Sequence, residues 1–397
     1  MSPTTIGIIG LVALVVLIFT RMPIGFLMAI VGFIGFASIV NVDAASTLLA
    51  KDLVAVFSSY NLTVIPLFVL MGQIAFHTGI SRRLFDTAYK FIGHWPGGLA
   101  IATVGACAGF AAICGSTNAT AATMGSTCLP EMKRYNYDPG ITCGVVAAAG
   151  SLGILIPPST IFIIYGILTE QSIGKLFISG VIPGILLASL FVTAIMIWVY
   201  LKPELAPRGP KTTFKEKLMS LSGTGETLLL FILVMGGLFS GIFTPTEAGG
   251  VGAFGAMAIA LVRRSITWKA FLQSLMETTR ISCMIMMIVA GATVFGHFLA
   301  VSRIPFDIAN SILGLDLPRA VVMMMIIAIY IIGGCFLDSL ALIMLTIPIF
   351  YPVVVQLGYD PVWFGVIIVM VTQIGVITPP VGVRSEEHTS ELQSHHP

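Results

Sequence analysis

Residues 152–159 read LGILIPPS and residues 374–381 read IGVITPPV. Each is an apolar string closed by a proline pair, Pro157-Pro158 and Pro379-Pro380, and the pairs lie 222 positions apart. A proline pair removes two backbone donors and frees the carbonyls upstream, so a helix cannot run through it unbroken. The same offset joins Gly153 to Gly375, the triplet Tyr137-Asp138-Pro139 to Tyr359-Asp360-Pro361, Pro130 to Pro352, Pro96 to Pro318 and Pro23 to Pro245. From Pro96 to Pro158 the register needs no gap. A YDP and a PP in one frame point to an internal repeat, the building plan of many transporters.

Composition says what solvent the repeat is built for. Of 397 residues, 10% are charged and 57% hydrophobic, against about 25% charged in an ordinary soluble domain. Mean hydropathy is +1.01. So few charges cannot cover a soluble protein of this size, which excludes a soluble enzyme, a disordered chain and a nucleic-acid binder. The bilayer is the remaining solvent. The 41 glycines and 21 prolines exceed what a plain bundle needs and suggest helices interrupted within the membrane. The net charge of +2 says nothing about an anionic partner. The six cysteines lie in or beside apolar stretches with no metal-site spacing and read as small buried hydrophobes.

Charge orients the repeats, because cytoplasmic loops collect Lys and Arg. The loop PEMKRYNYDP carries Lys133 and Arg134, and its counterpart PVVVQLGYDP carries none. IVNVDAAS carries no base, whereas ALVRRSIT carries Arg263 and Arg264. ISRRLFDTAYK carries three bases and SRIPFDIANSI one. Equivalent loops thus show opposite bias, as expected of inverted repeats. The N-terminus is then outside. Spans over 6–19, 23–40 and 64–77, with a surface stretch near 45–59, lead to a re-entrant hairpin at about 99–132 and a broken helix at about 140–168. A helix over 176–201 completes the first repeat, residues 1–201. A cytoplasmic linker, 202–222, precedes the second repeat, 223–383. There, spans are expected over 227–243, 247–262 and 282–301, then a hairpin at about 319–351 and a broken helix at about 362–383. Fifteen Lys and Arg fall inside, and Lys51, Lys175, Arg303 and Arg319 fall outside. The expectation is an all-α polytopic membrane protein of two inverted-topology repeats, each with a re-entrant helical hairpin and a Pro-Pro-broken helix.

The string RSEEHTSELQS from Arg384 reads as a translated sequencing adapter, so residues 384–397 are expected to be a non-native tail. The second repeat is then incomplete, since the partner of the 176–201 helix would begin near position 398.

The hairpin tip Gly115-Ser116-Thr117-Asn118-Ala119-Thr120 is placed at mid-membrane depth, where backbone must be satisfied by protein, water or ions. Hydroxyls, an amide and freed carbonyls are hard oxygen ligands suited to sodium, although Ser, Thr and Asn also join helices by plain hydrogen bonds. The proline pairs are either simple kinks or paired sites, with helix ends offering positive dipole to an anion. Asp338, the counterpart of Ser116, sits at the second tip, where a carboxylate in lipid is a functional candidate by default. Ion-binding candidates are Gly115, Ser116, Thr117, Asn118, Pro157, Asp338, Ser339, Thr378 and Pro379. Substrate-binding candidates are Ser116, Asn118, Ser159, Asp338 and Gly382. Glu247 suits a helix N-terminal carboxylate or a functional one. His77 and His297 suit structural positions, Arg280 an inner anchor or an anion-binding charge. Trp95, Trp198, Trp268 and Trp363 suit the interfacial belt. No nucleophile–base pair, metal motif or P-loop is present, so any pumping is secondary or depends on another chain.

GSTNATAATMGSTCLPEMKRYNYDP, AAAGSLGILIPPSTIFIIYGILTEQSIGKLFISGVIPG, GIFTPTEAGGVGAFGA and IGVITPPVG closely resemble the large membrane subunit of TRAP transporters, the tripartite ATP-independent periplasmic transporters of bacteria and archaea. The resemblance runs over essentially residues 1–383. It implies an elevator-type architecture and sodium-driven uptake of an organic carboxylate, with sodium the coupling ion and no other cofactor. It implies a periplasmic substrate-binding protein and a small membrane subunit as partners, in a cytoplasmic (inner) membrane, and no nucleic acid. By motif, Ser116, Thr117 and Asn118 look like the first hairpin tip, and Asp338 and Ser339 the second. Gly153 to Ser159 and Gly375 to Gly382 look like the broken helices. The alternatives are a self-sufficient sodium- or proton-coupled carboxylate or anion transporter of a related inverted-repeat fold, and a membrane scaffold or channel without coupled transport.

Overall fold

The computed structural model describes residues 2–20, 22–209, 211–313 and 317–378. Pro379, Pro380, Gly382 and the tail 384–397 lie outside the described residues. Seventeen α-helices and three short 3-10 turns make up the described chain, with no strand among the described residues. The first half gives α1 (Pro3–Ile18), α2 (Ile24–Ile39), α3 (Val42–Phe57), α4 (Val64–His77), α5 (Ile80–Ile92), α6 (Gly98–Cys114), α7 (Thr117–Arg134), α8 (Pro139–Gly150), α9 (Thr160–Leu168) and α10 (Ile173–Leu201). The second half gives α11 (Phe214–Phe239), α12 (Pro245–Val262), α13 (Trp268–Ser302), α14 (Ile304–Leu313), α15 (Arg319–Gly334), α16 (Ser339–Gln356) and α17 (Pro361–Ile377). Among the described residues, six helices are long and apolar enough to cross a membrane.

The elements keep the register of the sequence. Shifting α7 by 222 positions gives the first and last residues of α16, and α8 and α17 start at equivalent prolines. Those prolines sit at the first helical position, where a missing N–H harms no bond. Asp138 caps α8, its Oδ1 accepting the N–H groups of Gly140 at 2.8 Å and Ile141 at 3.2 Å. Its counterpart Asp360 accepts from the Trp363 N–H at 2.8 Å.

The chain packs as two compact units, and each draws on both halves. One comprises Met1–Thr63, Ile164–Gln171 and Arg280–Val376, and the other includes Val64–Ile163 and Ser172–Thr279. In the first unit α2 lies on α13, where a Cβ on Gly25 would meet the Met287 carbonyl oxygen at 2.7 Å and one on Gly32 would meet the Phe295 backbone at 2.8 Å. In the second unit α12 lies on α4, with Gly249 against Leu67 and Gly252 against Met71. The equivalent pair thus recurs with the halves exchanged. Glycine serves here because lipid tails are as apolar as the helices, so association depends on close van der Waals approach.

Several boundaries differ from expectation. ISRRLFDTAYK, read as a charged loop, folds as the amphipathic helix α5: Ile80, Leu84 and Phe85 are buried while Arg82 and Asp86 are exposed, the 3.6-residue period asserting itself over charge. Its counterpart forms α14. The linker is helical from Phe214, because Thr213 and Glu216 make a reciprocal capping box. α13 runs 35 residues, about 50 Å at 1.5 Å per residue, and so starts well before the expected 282 and takes in Lys269 and Arg280. α7 continues through Pro130 to Arg134, two residues beyond the expected hairpin end at about 132.

Candidate functional site: two capped hairpin tips

The first tip occupies two residues. Gly115 closes α6 at φ +62°, a left-handed conformation that glycine adopts without penalty. The next residue, Ser116, caps α7, its Oγ accepting the Ala119 N–H at 3.4 Å. Thr120 Oγ1 donates to the Ser116 carbonyl at 2.7 Å. Thr117 is buried beneath the tip, Ser116 is half-buried and Asn118 is exposed. Thr117 Oγ1 donates to Asn118 Oδ1 at 3.4 Å.

The broken helix lies directly against this tip. α8 passes into a 3-10 turn, Ser151–Ile154, and the chain then crosses Pro157-Pro158 before α9 begins. The Pro157–Pro158 bond is cis. The carbonyls of Gly153 and Ile154 have prolines four residues on, so no N–H can close those turns. The Gly115 carbonyl accepts both the N–H of Thr160 at 3.4 Å and its hydroxyl at 3.1 Å. A Cβ on Gly115 would stand 2.5 Å from the Pro158 carbonyl oxygen, and one on Gly153 would stand 2.6 Å from that of Ser116. Ser159, fully buried, accepts the Phe162 N–H at 3.3 Å. Gly115, Ser116, Thr117, Asn118, Pro157 and Ser159 therefore gather in one place. The start of α7, the start of α9 and a set of hydroxyl and carbonyl oxygens meet there. Carbonyls and hydroxyls can hold a hard cation, and helix N-termini favour a neighbouring anion.

The second tip is longer. α15 ends at Gly334, a turn covers Cys335–Leu337, and Asp338 caps α16, its Oδ2 accepting the Leu340 N–H at 3.0 Å. Asp338 is exposed and Ser339 buried. Gln373 of α17 reaches Ser339, its Nε2 donating to Ser339 Oγ at 2.7 Å with both residues buried. The backbones of α15 and α17 touch: a Cβ on Gly375 would meet the Ile331 carbonyl oxygen at 2.6 Å and Gly334 Cα at 2.7 Å. Asp338 and Ser339 thus share one hairpin tip, with α17 beneath it ending near Thr378. Pro379 and Gly382 lie outside the described residues. The two tips belong to different compact units.

Sequence reasoning passed over Gln373 and Thr160, while Thr120 was read only as part of the tip string. Gln373 was findable: it is a lone amide in the apolar run VIIVMVTQIGVI, and the repeat offset pairs it with Ser151. Other residues take structural places. Glu247 completes a capping box, its Oε2 accepting the Thr244 N–H at 2.8 Å. His77 Nε2 stands 3.1 Å from Glu277 Oε2, and His297 Nδ1 stands 2.8 Å from Asp52 Oδ2. Arg263 pairs with Glu226 and donates to the Ser222 carbonyl at 3.0 Å.

Residues 11–385 match the family described as "Tripartite ATP-independent periplasmic transporter, DctM component". The C4-dicarboxylate TRAP transporter large permease protein DctM of Pseudomonas aeruginosa is 39% identical over 337 residues, 85% of this chain and 78% of that protein. The sialic acid TRAP transporter large permease protein SiaM of Vibrio cholerae is 32% identical over 372 residues, 92% of this chain and 85% of that one. The isethionate TRAP transporter permease protein DctMQ of Oleidesulfovibrio alaskensis is 36% identical over 356 residues, 88% of this chain but 56% of that longer protein. Among solved structures, the YdaH transporter of Alcanivorax borkumensis, described as having an unusual topology, shares the fold at a TM-score of 0.59 and 15% identity, over 90% of this chain and 84% of that one.

Proposed function

The chain belongs to the DctM-component family of tripartite ATP-independent periplasmic transporters, and from that premise we propose that it couples sodium entry to uptake of an organic carboxylate. It is a large permease subunit, a transport component and not an enzyme. The observation that carries the sodium reading is the first tip, where hydroxyl and carbonyl oxygens crowd against a proline-broken helix. Carbonyl oxygens at Gly153 and Ile154 and the polar groups of Ser116, Thr117 and Asn118 offer uncharged ligands to one sodium ion. Asp338 and Ser339 offer a carboxylate and a hydroxyl to a second. A bound sodium lets Asp338 stay charged at depth, where a bare carboxylate is costly. Ser116, Asn118, Ser159 and the helix N-termini beside them provide the dipoles and donors a carboxylate substrate needs.

The repeats are of inverted topology in this reading, with boundaries at 1–201, 202–222 and 223–383. The N-terminus is outside the inner membrane of a bacterium or archaeon. A periplasmic binding protein delivers the carboxylate, and a small membrane subunit stands beside this chain. The relatives are named for C4-dicarboxylate, sialic acid and isethionate, which supports organic anions as the class; in this reading the binding protein selects among them.

The test is reconstitution of the full complex in proteoliposomes. Uptake is expected only with an inward sodium gradient and with the binding protein present. Uptake that persists when potassium replaces sodium removes the coupling reading, and uptake without the binding protein assigns the chain to self-sufficient carriers.

A further inference from the structure

Away from the tips, the unit containing the second hairpin holds a groove of about 490 Å³. Its walls come from three helices: Gly296 and Ala300 of α13, Phe306 of α14, and Pro348, Pro352 and Gln356 of α16. Each wall has a reason to stand back. Gly296 and Ala300 are one helical turn apart on the same face and present almost no side chain, and a Cβ built on Gly296 meets nothing within 4 Å. Pro348 and Pro352, also one turn apart, are compact rings with no N–H. The groove is therefore apolar along most of its length, and its volume suits a small-molecule ligand.

One charge lines it. Arg303 forms the corner between α13 and α14 at φ +61°, a backbone conformation that disfavours a long side chain. Its guanidinium has no hydrogen-bond or ion-pair partner among the described residues, and no carboxylate lines the groove. The nearby Asp307 is engaged elsewhere, accepting the Thr4 hydroxyl at 3.0 Å. The same unit carries residues of the kind found at a membrane interface. Phe306 is 59% exposed, Arg319 sits 5.5 Å over the Tyr359 ring, and Tyr359 stacks on Trp363 with centroids 5.2 Å apart. Aromatic rings and cations at one level mark the headgroup zone.

We infer that this groove binds one anionic phospholipid, its phosphate paired with Arg303 and its acyl chain laid along Gly296, Ala300 and the two prolines. A free carboxylate would leave the apolar floor empty, whereas a zwitterionic lipid would bring a second cation beside the guanidinium. The headgroup contact matches charge to charge, and the floor matches chain to apolar wall. The membrane setting rests on the transporter reading, but the lipid site does not depend on sodium coupling or on substrate.

The experiment is native mass spectrometry of the detergent-purified full complex, titrated with phosphatidylglycerol, phosphatidylcholine and a short dicarboxylate. Phosphatidylglycerol is expected to remain bound to this chain about fivefold more strongly than phosphatidylcholine. Arg303→Gln is expected to abolish that preference while Arg303→Lys retains most of it. Gly296→Leu, which fills the floor, is expected to reduce binding of both lipids. Thermal unfolding of each variant reports whether it is folded, and Arg303→Gln decides the matter alone if Gly296→Leu is not. Equal retention of the two lipids by the unsubstituted protein overturns the site, as does an anionic preference surviving Arg303→Gln or displacement of lipid by the dicarboxylate. These readouts are independent of uptake, so a failure of sodium coupling leaves this result standing, and the reverse holds as well.

Discussion

The two hairpin tips stand at equivalent positions and solve the same local problem with different chemistry. In both, the second arm begins with a side-chain cap, Ser116 in one and Asp338 in the other, followed by a buried hydroxyl, Thr117 or Ser339. The first tip turns in two residues, made possible by Gly115 at φ +62°, and presses its backbone onto the Pro158 carbonyl. The second has the longer turn Cys335–Leu337, and it rests instead through Gly334 and Gly375. The first tip is neutral and packed closely on the broken helix, while the second presents a carboxylate. Capping requires only an oxygen acceptor, and either side chain supplies one. Charge is therefore the feature that the fold does not demand, which is why Asp338 is proposed as a functional residue.

The comparison breaks most readily at the close contacts. Gly115→Ala is expected to cost about 2–4 kcal/mol, from the left-handed conformation and a clash with the Pro158 carbonyl. Leu337→Ala, the same position in the second half, is expected to cost less than about 1 kcal/mol, because the longer turn leaves slack. Thermal unfolding in detergent measures both, and equal losses would erase the contrast between tips. Gly153→Ala and Gly375→Ala should behave alike, each destabilising by about 1–3 kcal/mol, since both would drive a Cβ into backbone. Gln373→Leu removes the donor to buried Ser339 and is expected to cost about 1–3 kcal/mol. Ser151→Ala, at the matching position, should cost roughly 1 kcal/mol, because among the described residues its hydroxyl bonds to the Ala148 carbonyl of the preceding turn. The smallest effect belongs to Glu247→Gln, about 0.5 kcal/mol or less, as Gln still completes the capping box. A larger loss, or loss of uptake without loss of stability, would return Glu247 to the functional residues.

Much of this was legible in the residues. α4 spans the predicted Val64–His77, α6 and α7 cover the stretch 99–132, and regular helix stops before Pro157-Pro158, because proline pairs, glycines and the YDP triplets act locally; α16 instead runs on to Gln356, past the expected 351. Signals that act against one another were harder to read. The bases of α5 and of the first turns of α11 argued for loop, but the apolar period of Ile80, Leu84 and Phe85 and the capping box at Thr213 prevailed. The grouping into compact units depends on which glycine faces which helix, and no local pattern carries that information. At the site, Ser116, Asn118 and Asp338 stood out as polar groups in apolar sequence. Thr160 mattered only through a contact 45 residues away in sequence, which spacing does not reveal.

The central claim is that the two tips hold the coupling ions. Its most direct measurement is the sodium dependence of carboxylate uptake by the reconstituted complex, for the unsubstituted chain and for Ser116→Ala, Asn118→Ala and Asp338→Asn. The half-saturating sodium concentration is expected to rise about tenfold or more for Asp338→Asn, which loses a charged ligand, and severalfold for the two neutral-tip variants. Unchanged half-saturation in all three variants, with uptake still sodium-driven, would place the ions elsewhere in the molecule.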